Sequence, residues 1–300
     1  MHERPAPTGR IAYVNGSYLR HGLASVHIED RGLQFADSIY EVFGVFGGHV
    51  YDEEEHLDRL ERSVGEIALA MPMPRAPLKL VLREIARRNH LRDGLIYLQV
   101  TRGAVRRDHA IPARPPRPTL ILTARATDSQ AFEKRRESGI RVVSRPDERW
   151  ARCDIKSTAL LPNILAKTAA RDRGAWEAWL IDGEGHVTEG SSTTAWIVDR
   201  EGHLITRDLD NAVLPGVTRR VLAQVAADAQ IQLVERRFSL SEAWQAREAF
   251  ITAATLGALP VVEIDGKPVG AGKPGPVARR LQELYRHAAR LKAETDKSQL

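Results

Sequence analysis

Three hundred residues exceed what one small core needs, so two compact domains are expected. Hydrophobic residues at 43% and charged residues at 28% suit a water-soluble globular chain, and no apolar run approaches a membrane span in length. The lone Cys153 excludes an intramolecular disulfide and a four-cysteine zinc site, and the formal net charge of +5 is scattered over pairs such as Arg87-Arg88, Arg135-Arg136 and Arg236-Arg237. With no helix-turn-helix or zinc-finger spacing and no basic tract laced with aromatics, that charge reads as a solvated surface with some affinity for small anions, not as a nucleic-acid site. The opening MHERPAPTGR lacks the apolar stretch of a secretory signal, so a cytoplasmic protein is expected.

In chain order, RIAYVNGSYL reads as a hairpin turning at Asn15-Gly16, and SIYEVFGVFGGHVYD as a second turning at Gly47-Gly48. EEEHLDRLERSVGEIALA places Leu57, Leu60, Val64 and Ile67 at helical spacing, and APLKLVLREIARRNHL gives a second amphipathic helix. GLIYLQVTRG and the end of IPARPPRPTLILTA read as strands, the prolines between them resisting helix. The first 124 residues are therefore expected to form a small α+β domain, an antiparallel sheet with two helices. RATDSQAFEKRRESG, 125–139, is polar without a core pattern and reads as a linker. Beyond it, strands at IRVVSRP, along EAWLIDGEGHVTEGSSTTAWIVDREGHLITR, at IQLVERRF, EAFITAA and PVVEIDGKPVG mix with helices at ALLPNILAKTAARDRG, LPGVTRRVLAQVAADAQ, SLSEAWQA and the C-terminus. Strand runs with isolated helices indicate α+β for residues 140–300 and not a doubly wound sheet.

RCDIKSTALLPNILAK puts Lys156 at the entrance of an apolar helix. A lysine stripped of water is suited to forming a Schiff base with an aldehyde cofactor, or its stem can lie on apolar surface with the ammonium in solvent. The stretch alone leaves both open, while Lys167 reads as a solvated helix lysine. VTEGSST sets Glu189 before a glycine and several hydroxyls, either a ligand-holding loop or a plain hairpin turn. LPGVTRRVL starts a helix after Pro215-Gly216, whose Val217 and Thr218 amides would suit a phosphate. A lysine, a carboxylate and a phosphate-ready helix start are together the parts that pyridoxal phosphate requires.

Over nearly its whole length the chain resembles the fold-type IV pyridoxal-phosphate enzymes, class IV aminotransferases, and within them the D-amino-acid transaminases. The resemblance is carried by EDRGLQFADSIYEV, HLDRL, YLQVTRGAVRRDHAIP, RWARCDIKSTALLPNILAK, VTEGSST, LPGVTR and PVVEIDGK. It implies a two-domain α+β fold with a small N-terminal α+β domain and a larger, β-barrel-like C-terminal α+β domain. It also implies pyridoxal 5'-phosphate as cofactor, D-amino acids and 2-oxo acids as substrates, and a homodimer whose active site is shared across subunits. On the family's pattern Lys156 holds the cofactor and shuttles the proton, Glu189 partners the pyridine nitrogen, and Arg59 binds the phosphate with Val217 and Thr218. Ser192, Thr193, Leu214 and Ala254 complete the cofactor set. Tyr40 lies near the lysine and the substrate carboxylate, which Arg107 and His109 capture from the partner subunit. A planar anion suits an arginine fork beside an imidazole donor.

Departures from the pattern are the FADSIYEV form, with Ala36 and Ser38 for glycines, Gly44 where a lysine is common, and Ala253-Ala254 where hydroxyl residues are common, with Thr252 or Thr255 to compensate. Branched-chain aminotransferase or aminodeoxychorismate lyase activity on the same scaffold is the alternative, which Arg107 and His109 oppose. A non-catalytic basic binding protein is the remote one.

Overall fold

The computed structural model describes residues 9–297, with side chains to residue 288; residues 1–8, read above for a signal, lie outside it. The chain divides into two compact units, Met1–Thr127 with Ile155–Ala159, and Asp128–Asp154 with Leu160–Leu300.

In the first unit β1 (Ile11–Val14) and β2 (Ser17–Arg20) form the expected hairpin. Asn15 and Gly16 both carry positive φ, 47° and 99°, as the tight turn between twisted strands requires. α1 (Arg31–Phe35) follows, then β3 (Ser38–Phe46) and β4 (His49–Val50) around Gly47-Gly48. α2 (Glu53–Glu66), α3 (Arg75–Arg88), β5 (Gly94–Thr101) and β6 (Thr119–Ala126) complete the unit. The six strands run β2-β1-β6-β5-β3-β4, every pair antiparallel. Alternation along β3 turns Ile39, Phe43 and Val45 to one face, where they meet Leu57, Leu60 and Val64 of α2 and Leu78, Leu82 and Ile85 of α3. Ile155, 5% exposed, joins the same core, which fastens the segment that follows it to this unit.

The stretch 125–139, expected to be a linker, finishes β6 and then forms α4 (Ser129–Ser138). Asp128 caps it by accepting from the Ala131 amide at 3.0 Å, and Gly139 ends it at φ 75°. Arg136 reaches the Leu256 carbonyl at 2.9 Å, so a polar helix is held by side-chain hydrogen bonding where it lacks an apolar stripe.

The second unit continues with β7 (Ile140–Pro146), α5 (Leu161–Asp172), β8 (Glu177–Ile181), β9 (Val187–Gly190), β10 (Thr194–Val198) and β11 (Leu204–Thr206). After these come α6 (Val217–Asp228), β12 (Leu233–Glu235), α7 (Leu240–Gln245), β13 (Glu248–Ala253), β14 (Gly257–Ile264), β15 (Lys267–Pro268) and α8 (Pro276–Lys297). Its mixed sheet runs β12-β11-β10-β13-β14-β7-β8-β9, with β15 on β14 and parallel pairs at β11/β12, β14/β7 and β7/β8. Both faces are buried. Ala195, Ile197 and Ile251 pack with Phe238 and Trp179, while Trp196, Val198 and Phe250 pack with Leu222 of α6 and Leu281 of α8. α7 carries a full capping box between Ser239 and Glu242, a signature readable in SLSE.

Candidate active site

Lys156 is not on a helix. α5 begins five residues later at Leu161, and Lys156 lies in an irregular segment paired to β3 by the Ile39–Ser157 bridge. The Tyr40 amide donates to the Lys156 carbonyl at 3.0 Å, and the Thr158 amide to the Ser38 carbonyl at 3.1 Å. Ser38 Oγ and Thr158 Oγ1, 2.5 Å apart, add a side-chain tie. The lysine is half-buried, with Nζ 4.2 Å from the centre of the Tyr40 ring. The apolar run after it gives no desolvation, because Leu161, Ile164 and Leu165 are themselves 66%, 57% and 58% exposed.

Tyr40 stacks on Tyr97 with ring centres 5.7 Å apart, and the Tyr97 hydroxyl donates to Gln99 at 3.0 Å. Burial, with Tyr40 nearby, pushes the Tyr97 phenol up to about 12, so it stays a neutral donor. Tyr97 and Gln99 open the YLQVTRG block but were given no role in the sequence reading; their half-buried places on β5, on the Tyr40 side, are visible only in the fold.

Because side chains alternate, Glu41 lies on the face opposite Tyr40 and meets α2. Arg59 takes both its oxygens, Nε to Oε1 at 2.8 Å and a terminal nitrogen to Oε2 at 2.8 Å, and His56 Nδ1 lies 2.9 Å from Oε2. The carboxylate only accepts, so neutral His56 must carry its proton on Nδ1. Glu41 is fully buried, and it sets where the Arg59 guanidinium points. Arg107 and His109 sit on the exposed loop after β5, flanking one ring. The Arg107 guanidinium is 4.9 Å from the centre of Phe35, and the His109 ring 5.3 Å.

In the second unit Glu189 lies in β9 and is 7% exposed. It is ion-paired to Arg149, which Asp147 holds from the other side at 2.7 Å, and the Leu214 amide faces both its oxygens at 3.4 Å. Burial opposes the charge on Arg149, but Asp147 and Glu189 outweigh it and raise its pKa further. Ser191, Ser192 and Thr193 turn their hydroxyls onto one buried carboxylate, Glu177, at 3.0 Å for Ser192 and 3.4 Å for Thr193. Lys167 completes that cluster, 3.3 Å from Glu177 and 3.9 Å from the centre of Trp176. Its ammonium is enclosed and not solvated, contrary to the sequence expectation. Glu177 stands on β8, remote in sequence from any motif, which is why its role was not legible.

At the start of α6, Gly216 occupies the N-cap, so no side chain closes the helix amides. A Cβ there would approach Thr194 Oγ1 to 3.0 Å. Thr218 Oγ1 is buried without a hydrogen-bond partner among the described residues. Ala254 is half-buried in the turn after β13. Thr252 accepts from Trp196 Nε1 at 3.0 Å inside the core, leaving Thr255 as the half-buried hydroxyl of that turn.

The first unit supplies a half-buried lysine over a tyrosine. The second supplies a buried carboxylate held by an arginine, and an open helix start with an orphaned hydroxyl. These are the groups that a phosphorylated aldehyde cofactor needs. The family model for class IV amino-transferases matches residues 38–264, and the chain belongs to that family. It is 39% identical over 273 residues to D-alanine aminotransferase of Listeria monocytogenes serotype 4b (strain F2365), covering 91% of this chain and 93% of the relative. It is 36% identical to D-alanine aminotransferase of Bacillus licheniformis over 91% and 95% of the two chains. Among solved structures, the T.th. branched-chain amino acid aminotransferase with pyridoxamine 5'-phosphate superposes with a TM-score of 0.85 at 25% identity, over 93% and 94% of the chains. The Escherichia coli branched-chain enzyme gives 0.82 at 25%, over 91% and 92%.

The chain is thus an aminotransferase of the two-domain α+β fold, with pyridoxal 5'-phosphate as its cofactor. The residues present fit that group. The Thr218 hydroxyl, without a partner among the described residues, and the uncapped α6 amides are donors suited to a phosphate, and Lys156 is an amine of the kind an aldehyde requires. Among the described residues no helix is long and apolar enough to cross a membrane.

Proposed function

We propose that this aminotransferase moves amino groups between D-amino acids of the D-alanine and D-glutamate type and 2-oxo acids. The observation that carries the reading is the placement of Arg107 and His109 around Phe35, one fork and one imidazole on one loop, suited to a planar α-carboxylate. Identity of 36% and 39% to D-alanine aminotransferases, against 25% to the branched-chain structures, supports it.

The cofactor, when bound, supplies the electron sink that makes a substrate Cα–H acidic. Lys156 Nζ takes that Cα proton, and the side on which Arg107 and His109 hold the carboxylate selects the hand of the substrate. Glu189, ion-paired to Arg149, would face the pyridine nitrogen and hold a proton there. Arg59, aimed by Glu41, and the α6 start with Val217 and Thr218 bind phosphate. Leu214 fixes Glu189 through its amide, and Tyr40 packs under Lys156. Ser192, Thr193 and Ala254 shape the backbone around the cofactor. An amino acid gives up its amino group and leaves as a 2-oxo acid before a second oxo acid accepts it, a ping-pong exchange.

Arg107 and His109 are exposed on the single chain, on a unit that also exposes Leu23, Ile28, Leu33 and Ile111. A second copy covering those apolar side chains would make the pair part of its own site, so the working unit is a homodimer of a cytoplasmic enzyme.

The test is the half-reaction, followed by the cofactor's absorbance, with D-alanine against L-leucine. D-Alanine should convert it. Conversion by L-leucine alone would overturn the D-selective reading.

A further inference from the structure

The loop that carries Arg107 and His109 forms no regular ladder between β5 and β6 beyond the single Asp30–Ala104 bridge. A segment of that kind needs another source of order if two of its side chains are to meet one carboxylate. Arg31 supplies it. One terminal nitrogen of its guanidinium donates to the Asp108 carbonyl at 2.5 Å and the Ala110 carbonyl at 3.3 Å, and the other to the His109 carbonyl at 3.3 Å. Three successive carbonyls are thereby held by one rigid plane.

That plane is itself fixed. Arg31 Nε donates to Asp37 Oδ2 at 2.7 Å, and the guanidinium lies 4.9 Å from the centre of Phe35, the ring that Arg107 and His109 also flank. Asp37 also holds Arg102, through Nε at 2.7 Å and a terminal nitrogen at 2.9 Å. Arg102 anchors the root of the loop to the Ile67 and Ala68 carbonyls at 2.7 and 2.9 Å. Arg31 is 4% and Arg102 2% exposed, so neither is a surface charge with freedom to move. The backbone adds a second clasp, with the Arg31 amide on the Gly103 carbonyl at 3.0 Å and the Arg102 amide on the Asp37 carbonyl at 3.1 Å.

We propose that Arg31, braced by Asp37, is the positioning residue that sets the spacing of Arg107 and His109 and thereby the affinity for the substrate α-carboxylate. It touches neither substrate nor cofactor, and acts through the loop backbone. The inference rests on the reading of Arg107 and His109 as the carboxylate pair. Lysine cannot replace it, because a single ammonium cannot span three carbonyls and Asp37 at once.

The experiment uses the cofactor-loaded enzyme and its Arg31→Lys, Asp37→Asn and Arg107→Met variants. KM for D-alanine is measured alongside the half-reaction rate with a primary amine that lacks a carboxylate. Arg31→Lys keeps the buried charge for folding. It should raise KM for D-alanine about tenfold or more, since small misplacements of binding groups are costly, while the amine rate and cofactor absorbance stay unchanged. Asp37→Asn should move KM the same way by less. A lowered melting temperature or active fraction with KM within about twofold of the parent would show a merely structural arginine and overturn the proposal. If Arg107→Met leaves KM for D-alanine unchanged, the carboxylate reading itself has failed. If Arg107→Met raises KM and Arg31→Lys does not, only the present inference falls.

Discussion

Glu41 and Arg59 form a two-pronged ion pair, each oxygen of the carboxylate 2.8 Å from a guanidinium nitrogen, at a place where the carboxylate has no exposure at all. Removing one partner of such a pair strands the other's charge, so Glu41→Ala should cost about 3–5 kcal/mol in urea unfolding. Glu41→Gln, which still accepts one bond, should cost less. Burial alone would push the Glu41 carboxyl up, but Arg59 and His56 outweigh it and hold it well below the usual carboxylate range. Burial lowers the His56 imidazole despite Glu41. Both groups bind fewer protons folded than unfolded. Stability should therefore be full above about pH 6.5, decline below it as unfolded His56 protonates, and decline further below about pH 4.3 through Glu41. Urea titrations across that range check it. Constant stability between about pH 7 and pH 5 would contradict the His56 contribution.

What the sequence made legible follows from how far each signal reaches along the chain. α2 and α3 showed in their apolar spacing, the first hairpin in Asn15-Gly16, and α7 in the stretch SLSEAWQA, which the structure closes with a capping box, all local features. α1 escaped notice because five residues hold no period, and it exists through Asp30 accepting from Gly32 at 2.8 Å. The placement of Lys156 with the first unit depends on Ile155 joining a core built from residues far off in sequence. No local pattern carries that information. The residues proposed for the site stand in local motifs that a sequence displays; the buried groups packed against them, Glu41, Arg149 and Glu177, were given no role, since burial is a property of the fold.

Ala36 closes α1 in the left-handed region, φ 54° and ψ 26°, where its Cβ is strained. The resemblance places a glycine at this position. Ala36→Gly should raise stability by about 0.5–1 kcal/mol, relief of the left-handed strain exceeding the added freedom of the unfolded chain. The midpoint of urea unfolding measures this, and a lower midpoint would show that the alanine methyl packs better than its backbone suggests.

Lys167 and Lys156 bracket one sequence stretch but meet different partners, Glu177 and Trp176 for the first and the Tyr40 ring for the second. Lys167→Met removes the cation 3.3 Å from buried Glu177, on which Ser191, Ser192 and Thr193 also depend. The ammonium is enclosed but its stem is partly exposed, the side chain being 39% accessible, so water can reach Glu177 once the cation is gone and the loss should be about 1–2 kcal/mol. Borohydride reduction of the cofactor-loaded enzyme should still mark Lys156 in this variant. A label on Lys167 in the parent would transfer the cofactor amine to Lys167 and remove its structural assignment.

Thr218 separates cofactor binding from folding, because its hydroxyl is buried with no partner among the described residues. An unpaired buried hydroxyl is a cost to the chain alone and becomes an asset only when a ligand accepts from it. Thr218→Val keeps the shape and removes the donor. Without cofactor, its unfolding free energy should stay level or rise by about 1 kcal/mol. Its affinity for pyridoxal phosphate should fall about tenfold, the worth of one hydrogen bond to a charged acceptor. Urea unfolding of the cofactor-free protein and a cofactor titration followed by absorbance read the two effects separately. Loss of stability with affinity unchanged would mean that the hydroxyl serves the fold, and that the phosphate is held by Arg59 and the α6 amides without it.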